Sequence, residues 1–375
     1  VTSDLVARIV ESGDLSEQWT PTFERVPREN FIPEIIWDEE RQAVHRADAP
    51  HRWNQLVCAD APVITQLDDG AETGPGYISS SASKPSIVAM MLEALDVAEG
   101  YRVLEVGTGT GWNAALLADR LGDERVTTVE VDPVLAEAAR KALADAGYHP
   151  TVLCGDGMAG SPASAPYDRV IATAAVQRVP YAWVEQTRPG GRIVAPFGTA
   201  FHNGTLLRLT VHGDGSASGR FGGNVGFMWV RDQRTPHGAV EDRVRPEHDY
   251  TETTTEVHPY EPVADFDASF VVGLQVPDMK STVVHDGEPA EGRFTVYLMD
   301  PDSGSWASWR VTPERVGGYR VRQHGPRMLF DELSAAYTWW QQTGRPAHTR
   351  LGLTMTAEGE HLLWVDEPGR VLSRG

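Results

Sequence analysis

The chain has 375 residues, 41% of them hydrophobic and 23% charged, a globular balance with room for one large domain or two of ordinary size. Its formal net charge is −20 and it shows no Lys/Arg cluster, which excludes a polyanion held on a basic surface; neither nucleic acid nor an anionic membrane is expected as a partner. The two cysteines, Cys58 and Cys154, lack CxxC spacing and are expected as buried reduced thiols. No apolar run approaches the roughly 18 residues of a membrane span, and the first residues carry no basic, signal-like segment. A cytoplasmic protein is expected.

Residues 1–37 read as helical, with Leu5, Ile9 and Val10 on one face, followed by an extended Phe31-Ile32-Pro33. Residues 38–82 read as irregular, because Pro50, Pro62, Pro75 and the stretch from Gly70 to Gly76 forbid long helices. A helix opens at Pro85, where a missing N–H costs nothing, and carries Ile87, Val88, Met91, Leu92 and Leu95. From Tyr101 strands alternate with helices. Strands are expected at 102–106, 126–131, 151–154, 167–172 and 192–196, and helices at 113–121, 133–146 and 180–186. Asp132 is a candidate cap with Pro133 at the first helical position. This alternation predicts a parallel sheet covered on both faces. Beyond about residue 220 the pattern changes to short strands over 253–312, a helix over 328–342 and two closing strands at 350–356 and 361–365, read as a separate α+β module.

One segment carries chemistry. Leu104-Glu105-Val106-Gly107-Thr108-Gly109-Thr110-Gly111 lies where the first strand turns into a helix, and its glycines let backbone N–H groups approach a ligand. Glu130 ends the next strand, where a carboxylate can accept both ribose hydroxyls, with Val131 beside it. The spacing is GxGxG rather than GxGxxG, which weakens a dinucleotide reading. Gly155-Asp156-Gly157 follows the third strand, where Asp156 can accept from an adenine amino group, and Glu105 can meet an amino-acid ammonium. An adenosyl amino acid, S-adenosylmethionine, carries these handles and no pyrophosphate. Twelve histidines show no HxxH or HExxH spacing, so no metal is expected.

Taken in order, these segments resemble the protein-L-isoaspartate O-methyltransferase family over residues 20 to 200. Phe23-Glu24-Arg25-Val26-Pro27-Arg28-Glu29-Asn30-Phe31-Ile32-Pro33 resembles the N-terminal box of that family. Asp60 before Pro62-Val63-Ile64, and Ser83-Lys84-Pro85 before Ile87-Val88-Ala89, fall on its next two segments. Gly155-Asp156-Gly157, Ala165-Pro166-Tyr167-Asp168, the run from Ala174 to Pro180 and Arg188-Pro189-Gly190-Gly191 follow its second half. The resemblance implies a class I methyltransferase fold, a Rossmann-like doubly wound α/β sheet. Residues 1–82 would complete the active site, 83–220 would form the S-adenosylmethionine-binding core and 221–375 a C-terminal α+β domain, a candidate for binding peptide substrate. The chain departs from the family pattern at residues 34–57, which are longer than the usual link, at Ser81 and Ala82 in place of Thr-Ile, at Cys58 in place of Tyr, and in about 150 further residues. An extended form with a Ser-rich segment resembles actinobacterial enzymes found beside ribosomal peptide (lanthipeptide, graspetide or lasso peptide) genes. That resemblance implies methylation of an aspartyl side chain in a constrained peptide, leading to aspartimide or isoaspartate. The alternative is repair of isoaspartyl residues in damaged proteins.

A carboxylate with a pKa near 4 is ionised at neutral pH, so attack on a sulfonium methyl needs no general base, and positioning and exclusion of water become the tasks. Ser83 is the leading hydroxyl donor to the substrate carboxylate, is counted with the cofactor set as well, and doubles as a candidate N-cap; Ser79, Ser80 and Ser81 are alternatives. Asp60 would repel an acceptor carboxylate, and is expected to bond substrate N–H groups or a local loop. Trp306, Trp309, Trp339 and Trp340 read as core or interface of the C-terminal module. The acidity of the chain would favour an acceptor with a basic leader. The sequence leaves the oligomeric state open.

Overall fold

The computed structural model describes residues 2–234, 239–288, 291–314 and 317–372. Helices α1 (Thr2–Glu11) and α2 (Thr20–Arg25) open the chain. Leu5 and Ile9 are buried, but Val10 points to solvent. A 3₁₀ turn, Arg28–Phe31, occupies the start of the segment expected to be extended. The stretch expected to be irregular is a small antiparallel sheet, with β1 (Ile35–Trp37), β2 (Ala43–His45), helix α3 (Pro50–Val57), β3 (Val63–Leu67) and β4 (Ile78–Ala82), in the order β2-β1-β3-β4. Its core is Ile36, Trp53, Val57 and Val63. The prolines limit element length without preventing strands: Pro50 starts α3 at a first-turn position.

The alternating region folds as expected. Helix α4 (Pro85–Leu95) leads into β5 (Val103–Val106), α5 (Trp112–Leu121), β6 (Val126–Glu130), α6 (Pro133–Asp145), β7 (Thr151–Cys154), β8 (Tyr167–Ala172), α7 (Tyr181–Glu185) and β9 (Thr187–Gly198). Strands β5 and β6 are buried at every position, as a parallel sheet covered on both faces requires. Asp132 caps α6, accepting from the N–H groups of Val134 and Leu135, with Pro133 in the first turn. Strand β7 is the outer edge of the sheet, which leaves Cys154 exposed and corrects its expected burial; Cys58 is half-buried.

Two antiparallel strands, β10 (Asn203–Val211) and β11 (Ala217–Asn224), extend the sheet. The expected domain boundary at 220/221 therefore falls inside β11. The chain then forms α8 (Val240–Arg243), β12 (Thr251–Thr255), α9 (Tyr260–Val263), α10 (Phe266–Gln275), β13 (Lys280–His285), β14 (Phe294–Met299), β15 (Trp306–Val311), β16 (Tyr319–His324) and α11 (Leu329–Gln342). Helix α10 lies within the stretch read as strands only. Strands β12 to β16 make a five-stranded antiparallel sheet in the order β12-β16-β15-β14-β13. The closing strands, β17 (Leu351–Met355) and β18 (His361–Val365), return to the large sheet, β17 pairing with β11. That sheet has nine strands, ordered β18-β17-β11-β10-β9-β8-β5-β6-β7. The C-terminal region is thus bound into the first sheet. One apolar cluster joins Val170 and Phe197 to Phe270, Trp309, Leu333 and Leu353. No helix among the described residues is long and apolar enough to cross a membrane.

Candidate active site

The strand order reverses at β5, which lies between β8 and β6, and in open α/β sheets ligands bind at the carboxyl ends of strands where this happens. A cleft enclosing about 1210 Å³, solvent at its mouth included, lies there. Gly107, Thr108 and Gly109 form one wall. Gly107 has φ +96°, and a Cβ there would meet Thr173 Oγ1 at 2.7 Å, so the turn is open to glycine alone. Thr108 Oγ1 pairs with Thr128 Oγ1 at 2.6 Å. Glu130 and Val131 line the cleft from the end of β6, and Asp156, Gly157 and Met158 from beyond β7. Asp156 Oδ1 accepts the Met158 N–H at 2.8 Å.

Glu130 is 6% exposed; its carboxylate accepts the N–H groups of Gly109 at 2.9 Å and Asp132 at 3.1 Å. The amide that a pyrophosphate would use is therefore bonded to a carboxylate, which disfavours a dinucleotide by direct charge repulsion. Two strand-end carboxylates beside apolar Val131, Leu135 and Met158 fit an adenosyl amino acid.

Three expected ligand contacts do not line the cleft. Glu105 is fully buried, accepting from Asn113 Nδ2 at 2.7 Å and Thr128 Oγ1 at 2.6 Å. Burial pushes its carboxyl up to about 7, against the pull of those two bonds. The expected contact to a ligand ammonium is not made, because Glu105 points beneath the glycine turn towards α5. Gly111 is the residue from which α5 starts, and the Gly155 N–H donates to the Glu130 carbonyl at 2.9 Å; both support the wall from behind.

The cleft is lined as well by the rim Ser79 to Ser83, from β4 and the turn into α4. Ser79 Oγ donates to Gln66 Oε1 at 2.9 Å, and Thr65 Oγ1 donates to Ser80 Oγ at 3.0 Å. Ser81 and Ser83 complete the rim. Ser83 is not the N-cap of α4; Lys84 holds that position without a side-chain cap. Asp60 does the capping instead: its Oδ1 accepts the Ser86 N–H at 2.9 Å, and Lys84 Nζ lies 3.3 Å from Oδ2. Asp60 does not line the cleft, so its placement is that of a local loop acid.

Two features escaped the sequence reading. Arg28, 1% exposed, donates from Nη1 to the carbonyls of Val57 and Ala59, and from Nη2 to those of Ala61, Ala82 and Ser83, at 2.9–3.3 Å. Burial lowers its guanidinium to about 10, with Asp60 opposing, so it stays charged at neutral pH. The second feature is a strap, residues 225–234, crossing the cleft mouth. Phe227, Trp229, Arg231 and Arg234 line the cleft, and Met228 and Val230 pair with Ala175 at 2.7 and 2.9 Å. Arg231 Nη2 reaches Asp132 Oδ2 at 2.7 Å, and Arg234 Nη1 reaches Asp69 Oδ2 at 2.7 Å. The Arg234 bond holds the Asp69 carboxyl below its usual range. Burial works against ionised Asp132, but the bonds from Arg231, Gln66 and the α6 amides outweigh it and lower its pKa. The apolar run Gly226-Phe227-Met228-Trp229-Val230 was the available signal, hidden by assigning it to another domain.

The family model for protein-L-isoaspartate(D-aspartate) O-methyltransferase matches residues 2–235. The chain belongs to that family. A Thermococcus onnurineus protein-L-isoaspartate O-methyltransferase is 43% identical over 148 residues, 39% of this chain and 67% of the relative. One from Pyrococcus abyssi is 36% identical over 217 residues, covering 57% of this chain and 95% of the relative. A solved protein-L-isoaspartate O-methyltransferase structure is similar across 98% of this chain and 100% of its own, at TM-score 0.56 and 20% identity. The fold likeness thus extends through the C-terminal region. The protein is an S-adenosylmethionine-dependent carboxyl O-methyltransferase.

Proposed function

We propose that the acceptor is a carboxylate generated at an aspartyl position of a polypeptide, isoaspartyl or aspartyl, presented along the Ser79–Ser83 rim. The observation carrying this reading is the rim itself: the serines from Ser79 to Ser83 line the same cleft as the glycine turn Gly107 to Gly109. When bound, S-adenosylmethionine would supply the methyl carbon of its sulfonium to a carboxylate oxygen, the carbon–sulfur electron pair leaving with S-adenosylhomocysteine. Glu130 takes the ribose hydroxyls and Asp156 the adenine amino group, with Gly107, Thr108, Gly109, Val131 and Gly157 forming the bed. Ser83 donates a hydrogen bond to the acceptor carboxylate and aligns it. Arg28 fixes the Ser83 backbone, and the strap with Phe227 and Trp229 excludes water. No residue is required to take a proton. Because the carboxylate loses charge as the ester forms, a donor to it holds the ground state at least as well as the transition state. Ser83→Ala is therefore expected to lower kcat/KM about tenfold, mostly through KM, with S-adenosylmethionine affinity nearly intact. Unchanged kcat/KM would remove Ser83 from the site.

A narrower reading is tailoring of one constrained, ribosomally made peptide, with the ester closing to aspartimide. Residues 34–57, longer than the usual family link, build β1, β2 and α3, the two strands in the same small sheet as the rim strand β4, and favour a shaped acceptor. Substrate breadth separates the two: repair requires methylation of many linear isoaspartyl sequences, and tailoring requires one folded peptide.

A further inference from the structure

The five-stranded sheet turns Val296, Leu298, Trp309 and Val321 inward to the core. On the other face Trp306 and Met299 are buried at one end, and beyond them the register brings cations together. Arg310 on β15 stands directly opposite Arg320 on β16, and Ser308 opposite Arg322. Arg322 in turn faces Glu252 on β12. Like charges directly opposite one another destabilise a sheet, so the Arg310–Arg320 pair works against the fold unless anions sit between them. The neighbouring carboxylates are few. Asp286 Oδ2 lies 2.7 Å from Arg310 Nη2, while Glu252 serves both Arg322 at 2.9 Å and Arg320 at 3.8 Å. Among the described residues, three guanidinium groups thus share two carboxylates, in a chain of net charge −20.

The three arginine side chains are 50%, 58% and 37% exposed, and Tyr297 faces Ser308 across the next strand pair, adding hydroxyls to the strip. Arginine forks match carboxylates in paired N–H···O geometry. The three arginines lie on two adjacent strands, roughly 5 Å apart, room for two or three carboxylates rather than for a nucleic-acid duplex. The acidity of the rest of the chain repels an extended polyanion but not a short acidic stretch. We propose that this face docks a short acidic segment of the polypeptide acceptor, whose carboxylates replace Asp286 and Glu252 as partners of Arg310, Arg320 and Arg322. The proposal rests on the polypeptide-acceptor reading above, and it reverses the basic leader expected from net charge alone.

The test uses the full chain and fluorescence anisotropy at low salt. The probes are a labelled 12-residue peptide with three consecutive Asp/Glu residues, its Asn/Gln counterpart and a single-stranded 20-mer DNA. The acidic peptide is expected to bind, to weaken about tenfold in Arg310→Gln/Arg320→Gln/Arg322→Gln, and to be released by salt. The second variant, Glu252→Gln/Asp286→Asn, removes the competing carboxylates and is expected to tighten binding severalfold. Unchanged S-adenosylmethionine affinity in both variants shows that they fold. The proposal is overturned if the triple variant keeps its affinity, if the second variant weakens binding, or if the DNA displaces the peptide with the same arginine dependence. Binding needs no methyl transfer. Methylation of isoaspartyl peptides without arginine-dependent docking would sink this proposal alone, and docking without any methylated polypeptide would sink the acceptor reading alone.

Discussion

Glu105→Gln should make this protein more stable in alkaline solution and change little in acid. The side chain is fully buried and its carboxyl titrates at about 7, against 4.5 for the ordinary group. A folded-state pKa above the unfolded one means that the folded chain holds the proton longer. Stability is therefore greatest below pH 4.5 and falls as pH rises through the window from 4.5 to 7. Linkage with these two values gives a cost of about 1 kcal/mol at pH 5, about 2 at pH 6 and about 3 at pH 8. Glutamine keeps the shape, still accepts from Asn113 and meets Thr128 with a donor, and that hydroxyl can turn to accept. Urea unfolding of both proteins at pH 5, 6, 7 and 8 reads the difference directly. The advantage of the variant should grow by about 2 kcal/mol between pH 5 and 8. A difference independent of pH would refute the reasoning.

Arg28→Met removes the donors of five backbone carbonyls and should destabilise the chain by about 3 kcal/mol. Guanidinium ion at millimolar concentration should restore part of the lost kcat/KM of Arg28→Ala, an effect that simple loss of stability would not give. Glu130→Gln should weaken S-adenosylmethionine binding about tenfold, measured by calorimetry, with acceptor KM unaffected. Arg231→Gln loosens the strap and should raise the dissociation rate of S-adenosylmethionine severalfold; an unchanged rate in stopped flow would show that the strap is not a latch. Asp69 and Asp132 both have lowered pKa values, so the strap contacts persist above the ordinary carboxylate pKa and are lost as pH falls through the lowered values. Proteolysis within 225–234 should accordingly accelerate only in strong acid.

What the sequence made legible was local. Asp132-Pro133 announced the start of α6, and a hydrophobic run bounded by glycine announced β5, because cap and turn chemistry act over a few residues. Strands β1 and β2 have three residues each, too short for a period, and exist through pairing. The return of β17 to β11 joins Arg220 to Gly352 across the whole C-terminal region, beyond any local pattern. At the site, Glu130 and Asp156 were readable because strand ends project into the cleft. Glu105, also next to the glycine turn, was expected in the cleft, but its direction depends on the pleat, and the pleat turns it away from the cleft towards Asn113 and Thr128. Asp60 carried a motif position whose capping role appears only once α4 is packed beside it. Cys154 was taken for buried because its strand was not recognised as an edge.

The central claim is the acceptor class, and a mass-spectrometric transfer assay with S-adenosylmethionine tests it most directly. Three acceptors suffice: a linear isoaspartyl peptide, its normal aspartyl twin, and a constrained modified peptide encoded beside the gene. The account predicts a mass gain of one methyl group, or loss of water after ester closure, on at least one polypeptide carboxylate, abolished in Glu130→Gln/Asp156→Asn. Methylation confined to the constrained peptide would establish tailoring, and methylation of the linear isoaspartyl peptide would establish repair. Transfer to none of the three, by a protein that binds S-adenosylmethionine, would contradict the account.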